Sequence, residues 1–333
     1  MKNMMNRQGI SFDQIYSKVN EITRTGNTVE INRYNYLDDD LEKFRYPETY
    51  SEYGLSSLGQ AVGFPAEFVR EIEIGNPELA KNIITDRMNN YFIQSKMRGR
   101  GKSMFVREFS GRARGVVSNK YDYFDDNEVV DILADSPLKD LSFKESLISP
   151  ERLHLRGIEA IPFRVERDTS DMFHAFFIDN SMVGASAFRI SYGVYRLACT
   201  NGLIVPMAEF EVYKQIHKKS EMDKGYIAAE FREALERIAL KKEWVQNELS
   251  SFNSVESALE KIKNKDTQMA YLSRKLNVSG AESEKILTLY DAYSEEFNYR
   301  SRWALMNAVT EFARDINDIN KRTFLERRIY KVA

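Results

Sequence analysis

The chain has 333 residues, 43% of them hydrophobic and 12% aromatic, enough to bury a core in two domains or in one domain with a helical appendage. Its 48 lysines and arginines against 50 acids give a formal charge of −2, which excludes a protein that coats nucleic acid over its whole surface and makes any such binding local. A single cysteine, Cys199, excludes an internal disulfide and a cysteine-based zinc cage and points to a reducing compartment, while the absence of a long uncharged apolar run excludes a predicted signal peptide or membrane span.

In chain order, Ser11 with Gln14 forms a capping-box pattern and Ile10 with Ile15 a hydrophobic staple, predicting a short helix through Ile22. Thr28 to Tyr34 alternates like a strand. Leu55, Leu58, Val62, Phe64, Phe68 and Val69 predict two short helices split at Gly63 and Pro65. Pro77 opens another, with Leu79, Ile83, Ile84, Met88 and Tyr91 at helical spacing. The period then changes to two. Met104 to Phe109, Ala113 to Ser118, Leu153 to Glu159, Phe163 to Glu166, Met172 to Ile178, Ala187 to Ile190 and Val194 to Cys199 all read as strands. Between them, Asp125 with Glu128 three residues on marks a helix start before Asn127 to Leu133.

Pro206 is the last proline, and beyond it only Gly225 and Gly280 interrupt a composition that favours long helices. Phe231, Ile238, Val245 and Phe252 recur every seven residues with Leu235 and Leu249 between them, and Lys242 breaks the seam, which predicts a bundle or paired helix over a free coiled coil. The expected fold is α+β: a mainly helical region over 1–90, a mixed or antiparallel sheet core over 91–206, and a helical region over 207–333 that offers a route to homo-oligomers.

The densest charge lies between Lys96 and Lys120, where Lys96, Arg98, Arg100, Lys102, Arg107, Arg112, Arg114 and Lys120 face the single acid Glu108. Such a run repels itself unless a polyanion or an acidic surface relieves it. Single-stranded nucleic acid needs cations for its phosphates and rings for its bases, and Tyr91, Phe92, Phe105, Phe109, Tyr121, Tyr123 and Phe124 interleave with the charges. Strand alternation turns half of those rings inward, and Asp122, Asp125, Asp126, Glu128, Asp131 and Asp135 follow closely enough to neutralise the arginines internally.

Catalytic signatures are lacking. Gly101, Lys102 and Ser103 end like a P-loop, but Lys96 stands where its first glycine belongs and a strand follows where a helix is needed. His154, His174 and His217 lie on separate segments without metal-ligand spacing, and no G-x-S-x-G elbow occurs. The cluster Asp122, Asp125, Asp126 and Glu128 suits Mg²⁺ by type, yet it also suits a capped helix start. No cofactor, metal or catalytic residue is expected, and a Mg²⁺-dependent enzyme is the weakest of the readings.

The segments MFVREFSGRARGVVSNKYDYFDDNEVVDIL (Met104 to Leu133) and NSMVGASAFRISYGVYRLACTNGLIV (Asn180 to Val205), with WALMNAVTEFAR from Trp303, resemble the uncharacterised phage/plasmid-like protein family, a domain of unknown function. The resemblance implies a gene carried by a phage, prophage or plasmid and a product in the bacterial cytoplasm, and it implies no catalytic residues. Arg112, Arg114, Asn119, Tyr121, Asp122, Arg196, Cys199, Asn201, Gly202 and Asn307 match the family pattern. Asn201-Gly202 is also a type I′ hairpin signal, and Asn307, among apolar neighbours in a helix, suits the capping of a buried backbone group or a cross-link to the sheet. Two functions are expected. One is a mobile-element protein that binds single-stranded DNA through the basic face, in annealing or as a replication-recombination accessory. The alternative is an interaction protein that blocks a host defence or regulatory factor, with a host or phage protein as its partner.

Overall fold

A computed structural model of the chain describes residues 9–30, 35–38, 41–44, 50–98, 104–165, 168–196, 201–203, 211–215, 224–316 and 318–332. The expected α+β class is what forms, with antiparallel sheets and helices at both ends. α1 (Phe12–Arg24) starts on the capping box: Gln14 Oε1 accepts from the Ser11 amide at 3.0 Å, and Ser11 Oγ accepts from the Gln14 amide at 3.3 Å. β1 is Gly26–Glu30, earlier than its alternation suggested, because it pairs with β4; residues 31–34 lie outside the description. A hairpin of β2 (Asn35–Asp38) and β3 (Leu41–Phe44) follows.

α2 (Glu52–Ala61) and α3 (Ala66–Gly75) split where expected, with Gly63 at φ +93° and Pro65 at the start of α3. α4 is Pro77–Arg98. β4 (Met104–Phe109) and β5 (Arg112–Ser118) join through Ser110-Gly111, both at positive φ, the two-residue turn whose twist matches the strands. The three-stranded sheet runs β1-β4-β5, and α2 lies so close on β5 that a Cβ on Gly54 would stand 2.3 Å from the Ala113 carbonyl oxygen.

α5 (Asp126–Ala134) leads into the larger sheet, formed by β6 (Ser142–Ser149), β7 (Arg152–Phe163), β8 (Met172–Asn180), β9 (Phe188–Arg196), β10 (Asn201–Leu203) and β11 (Glu211–Gln215). Its order is β10-β9-β8-β7-β6, and β11 also pairs with β9. The strand expected at Leu153 to Glu159 is β7, which continues to Phe163 through a register shift between Ile158 and Pro162; of the strand expected at Phe163 to Glu166 only Phe163 is strand, and Glu166 lies outside the described residues. The two strands expected between Ala187 and Cys199 join in one β9 as far as Arg196, with 197–199 outside the described residues.

Five α-helices follow among the described residues: α6 (Lys224–Phe252), α7 (Lys265–Leu276), α8 (Gly280–Glu296), α9 (Arg302–Arg314) and α10 (Ile319–Arg328). The heptad stripe of α6 is buried within the chain's own core. Lys242, which breaks that stripe, reaches Glu159 Oε2 on β7 at 2.7 Å, and Gln246 meets His174 on β8 at 3.1 Å, so α6 lies on the sheet. No helix among the described residues is long and apolar enough to cross a membrane.

Strand alternation gives the large sheet two unlike faces. One presents Leu153, Leu155, Phe176, Ile178, Ile190, Tyr192 and Val194 to the main hydrophobic core. On the other, His154, Asp179 and Arg189 stand abreast on β7, β8 and β9, and Arg156, Phe177 and Ser191 form the next row.

Candidate functional site

α10 lies across the polar face and completes an ion network there. Arg156 is fully buried; its Nη2 is 2.6 Å from Glu326 Oε2, its Nε is 3.2 Å from Glu145 Oε2, and its guanidinium lies 5.2 Å from the Phe177 ring centre. Arg322 bridges the same two acids, at 3.1 Å from each. Asp179 Oδ1 accepts from Arg152 Nη2 at 2.7 Å and from His154 Nδ1 at 2.8 Å. Burial lowers the His154 pKa, so the ring is neutral: Nδ1–H donates to Asp179, and Nε2 accepts from Arg156 Nε at 3.1 Å. Burial works against the Asp179 carboxylate too, yet His154 and Arg152, which donate to it, hold its pKa below the ordinary range. Arg152, Arg156 and Arg322 thus balance Glu145, Asp179 and Glu326, as buried charges require. Arg327 is in excess; its Nη2 is 3.6 Å from Asp179 Oδ2 and donates to Ser191 Oγ at 3.3 Å.

At its outer end the network opens into a cleft of about 650 Å³, lined by Arg152, Asp179, Ala185, Ser186, Ala187, Arg189, Lys275, Thr323, Phe324, Arg327, Arg328 and Val332. Among the described residues that line it are five cations and one carboxylate, Asp179, which Arg152 engages. Thr323 is 5% exposed, and neither its Oγ1 nor Ser186 Oγ has a hydrogen-bond partner among the described residues. Phe324 keeps 38% of its surface exposed beside them. Sequence reasoning missed this site because its cations come from β7, β9, α7 and α10, and only Arg327 and Arg328 adjoin. One signal was present: Arg152, His154 and Arg156 alternate with Leu153 and Leu155, the mark of a strand with one polar face against a partner.

Where the stretch from Lys96 to Lys120 is described, most of its arginines meet internal partners. Lys96 and Arg98 fall in the last turns of α4, and Arg100 and Lys102 lie outside the described residues. Arg107 is a correction to the expected site. It is 5% exposed, and its guanidinium is held by Asp125 at 2.6 and 2.7 Å, by Thr28 Oγ1 at 2.8 Å and by the Met182 carbonyl at 3.0 Å. Arg107→Lys keeps the charge but loses the fork of donors, and should destabilise the protein by about 1–3 kcal/mol in a thermal or urea melt. A solvent-facing phosphate ligand would leave the melt unchanged.

Tyr121 is likewise corrected: it is buried, its hydroxyl donates to the Ser181 carbonyl at 3.0 Å, and burial raises its pKa. Arg114 pairs with Glu151 at 3.0 Å, and Arg112 donates to the Tyr50 carbonyl at 2.9 Å. Asn119, Lys120 and Tyr123 are exposed, and Asp122 is half-buried.

Over residues 113–329 the chain matches the family described as Domain of unknown function (DUF932). It belongs to that family. No curated protein and no solved structure matches the chain. The DUF932 match runs from β5 to the end of α10, so it takes in the ion network and all five cations of the cleft. Lys96 to Arg112 precede it.

Within the DUF932 domain, Arg196 and Asn307 make internal contacts. Arg196 is 2% exposed; Asp168 takes its Nε at 2.8 Å and its Nη2 at 3.0 Å, Glu296 takes Nη2 at 2.6 Å, and the Tyr293 and Phe297 rings lie against it. Trp303 Nε1 on α9 donates to the same Asp168 at 2.9 Å. Asn307 Nδ2 donates to the Trp303 carbonyl one turn earlier in α9 at 2.9 Å. Asn201 and Gly202 are strand residues opposite Arg196 and Tyr195 and not the expected turn; Cys199 and His217 lie outside the described residues.

The acidic cluster offers no metal site: among the described residues no three His, Cys, Asp or Glu side chains gather to hold an ion. Asp125 is given to Arg107, so it makes no side-chain cap on α5. Asp126 is wholly buried beside Asn180, which donates to it at 2.8 Å, and burial raises its pKa to about 8. A raised carboxyl pKa favours folding fully below the unfolded value, 3.8, and that contribution is lost as pH rises towards 8. Asp126→Asn should therefore melt higher than wild type, by a margin that opens between about pH 4 and pH 8 and is constant above. A margin independent of pH would contradict an uncharged Asp126. His174, whose pKa burial pushes down to about 4, has the opposite sign and loses stability as pH falls from 6.5, in both proteins alike.

Proposed function

We propose that the protein binds single-stranded DNA through the cationic cleft, as an annealing or replication-recombination accessory of a phage, prophage or plasmid acting in the bacterial cytoplasm. The observation that carries this reading is the gathering of Arg152, Arg189, Lys275, Arg327 and Arg328 around one already engaged carboxylate, with the exposed ring of Phe324 among them. Cations neutralise phosphates and an exposed ring stacks a base, the two contacts on which sequence-tolerant single-strand binding rests. Exposed Lys120 and Tyr123 are secondary contacts in this reading. The mobile-element setting rests on the resemblance of the segments around β4–β5, β9 and α9.

Fluorescence anisotropy with labelled single-stranded and duplex oligonucleotides tests it. Phosphate contacts by Lys275, Arg327 and Arg328 predict that single-strand affinity falls about 20-fold between about 50 and about 200 mM salt. No binding at low salt would reject the reading in favour of a host or phage protein as the partner.

A further inference from the structure

We infer that the inner part of the cleft is a slot for a nucleobase, so that a strand enters it base first and leaves its phosphates at the rim. This rests on the single-strand reading of the same cleft, but on its ring, its small side chains and its hydroxyls and not on its charge. Phe324, Ala185, Ala187 and Val332 line it with apolar side chains, three of them short. Phe324 keeps 38% of its surface exposed, and one turn further along α10 the Arg328 guanidinium lies 5.2 Å from its ring centre. Aromatic rings and guanidinium planes are the surfaces on which unpaired bases stack.

Two hydroxyls lie among these apolar groups. Thr323 is 5% exposed, and neither its Oγ1 nor Ser186 Oγ has a hydrogen-bond partner among the described residues. A hydroxyl donates one hydrogen bond and accepts two, so the pair can meet the donor or the acceptor edge of any base. A base in a duplex has its edge paired and both faces stacked. An unpaired base has both to give, and its arrival satisfies buried hydroxyls that otherwise cost free energy. The volume, about 650 Å³, is that of a single-ligand pocket and admits one nucleotide. Selection of single strands thus comes from the base, while exposed Lys275 supplies a phosphate contact common to any strand.

The test pairs saturation-transfer NMR on two uncharged nucleosides, thymidine and deoxyadenosine, with anisotropy on an oligothymidine 12-mer and on an abasic 12-mer of tetrahydrofuran units carrying the same phosphates. The nucleosides should receive saturation from the wild type and lose it in Phe324→Leu. Oligothymidine should bind about tenfold or more tightly than the abasic strand, and Phe324→Leu should erase that difference. Thr323→Val, which preserves shape, should weaken nucleoside and oligothymidine binding severalfold and leave the abasic-strand affinity unchanged, with a melting temperature no lower than wild type. Lys275→Ala should weaken both strands and spare the nucleosides. Equal affinity for the two strands, with no nucleoside signal, overturns the inference and leaves phosphate-based single-strand binding intact. A nucleoside signal that survives in both Phe324→Leu and Thr323→Val places the base elsewhere and overturns it too. Nucleoside binding without strand binding sustains the slot and removes the DNA reading; silence from nucleosides and strands alike rejects both.

Discussion

Arg156→Ala is expected to destabilise the protein by about 3–5 kcal/mol, because it leaves Glu145 and Glu326 buried with Arg322 as their one remaining ion-pair partner among the described residues. The fully buried guanidinium also accounts for the neutral tautomer of His154, whose Nε2 accepts from it. Loss of Arg156 therefore removes a hydrogen bond on each side of the network and opens a gap over Phe177. Urea unfolding followed by circular dichroism measures the effect. A loss below about 1 kcal/mol would mean that α10 does not depend on this network for its seat on the sheet.

The second large effect is expected at Asp168. This residue is 4% exposed and accepts from both Arg196, at the end of β9, and the indole of Trp303, on α9. Asp168→Ala leaves the buried Arg196 with Glu296 but without its two-pronged partner, and it strands the buried indole N–H, at a cost of about 2–4 kcal/mol. Asp168→Asn retains one acceptor and should recover part of that loss. The indole also gives a local readout, since its fluorescence should change in Asp168→Ala under conditions where the protein remains folded. An unchanged melt and an unchanged spectrum would contradict the role of Asp168 as the tie between α9 and the sheet.

Local signals were legible wherever one short segment decides its own structure. The Ser11–Gln14 box, the Gly63–Pro65 break and the alternation of β4, β5 and β8 all appear as read. Signals failed where tertiary partners compete for the same atoms. Asp125 reads as a helix cap, but Arg107 takes its carboxylate, and a single buried ion pair thereby removes both a cap and a phosphate ligand from the expected set. Asn201-Gly202 reads as a turn, yet pairing with β9 draws both into a strand. Charge density along the chain is likewise a poor guide to charge density in space. The run from Lys96 to Lys120 is largely spent on internal partners where it is described, whereas the cleft collects its cations from four distant elements.

The most direct test compares two surface variants for binding to labelled single-stranded DNA at about 50 mM salt. Lys275→Ala with Arg328→Ala changes the cleft at exposed positions, and Arg112→Ala with Lys120→Ala changes the β5 side outside it. The cleft variant should lose about tenfold or more in affinity and show a shallower salt dependence, while the other stays within about threefold of wild type. Full affinity in the cleft variant, together with loss in the other, would place the nucleic-acid contact on the β4–β5 face and contradict the assignment of the cleft.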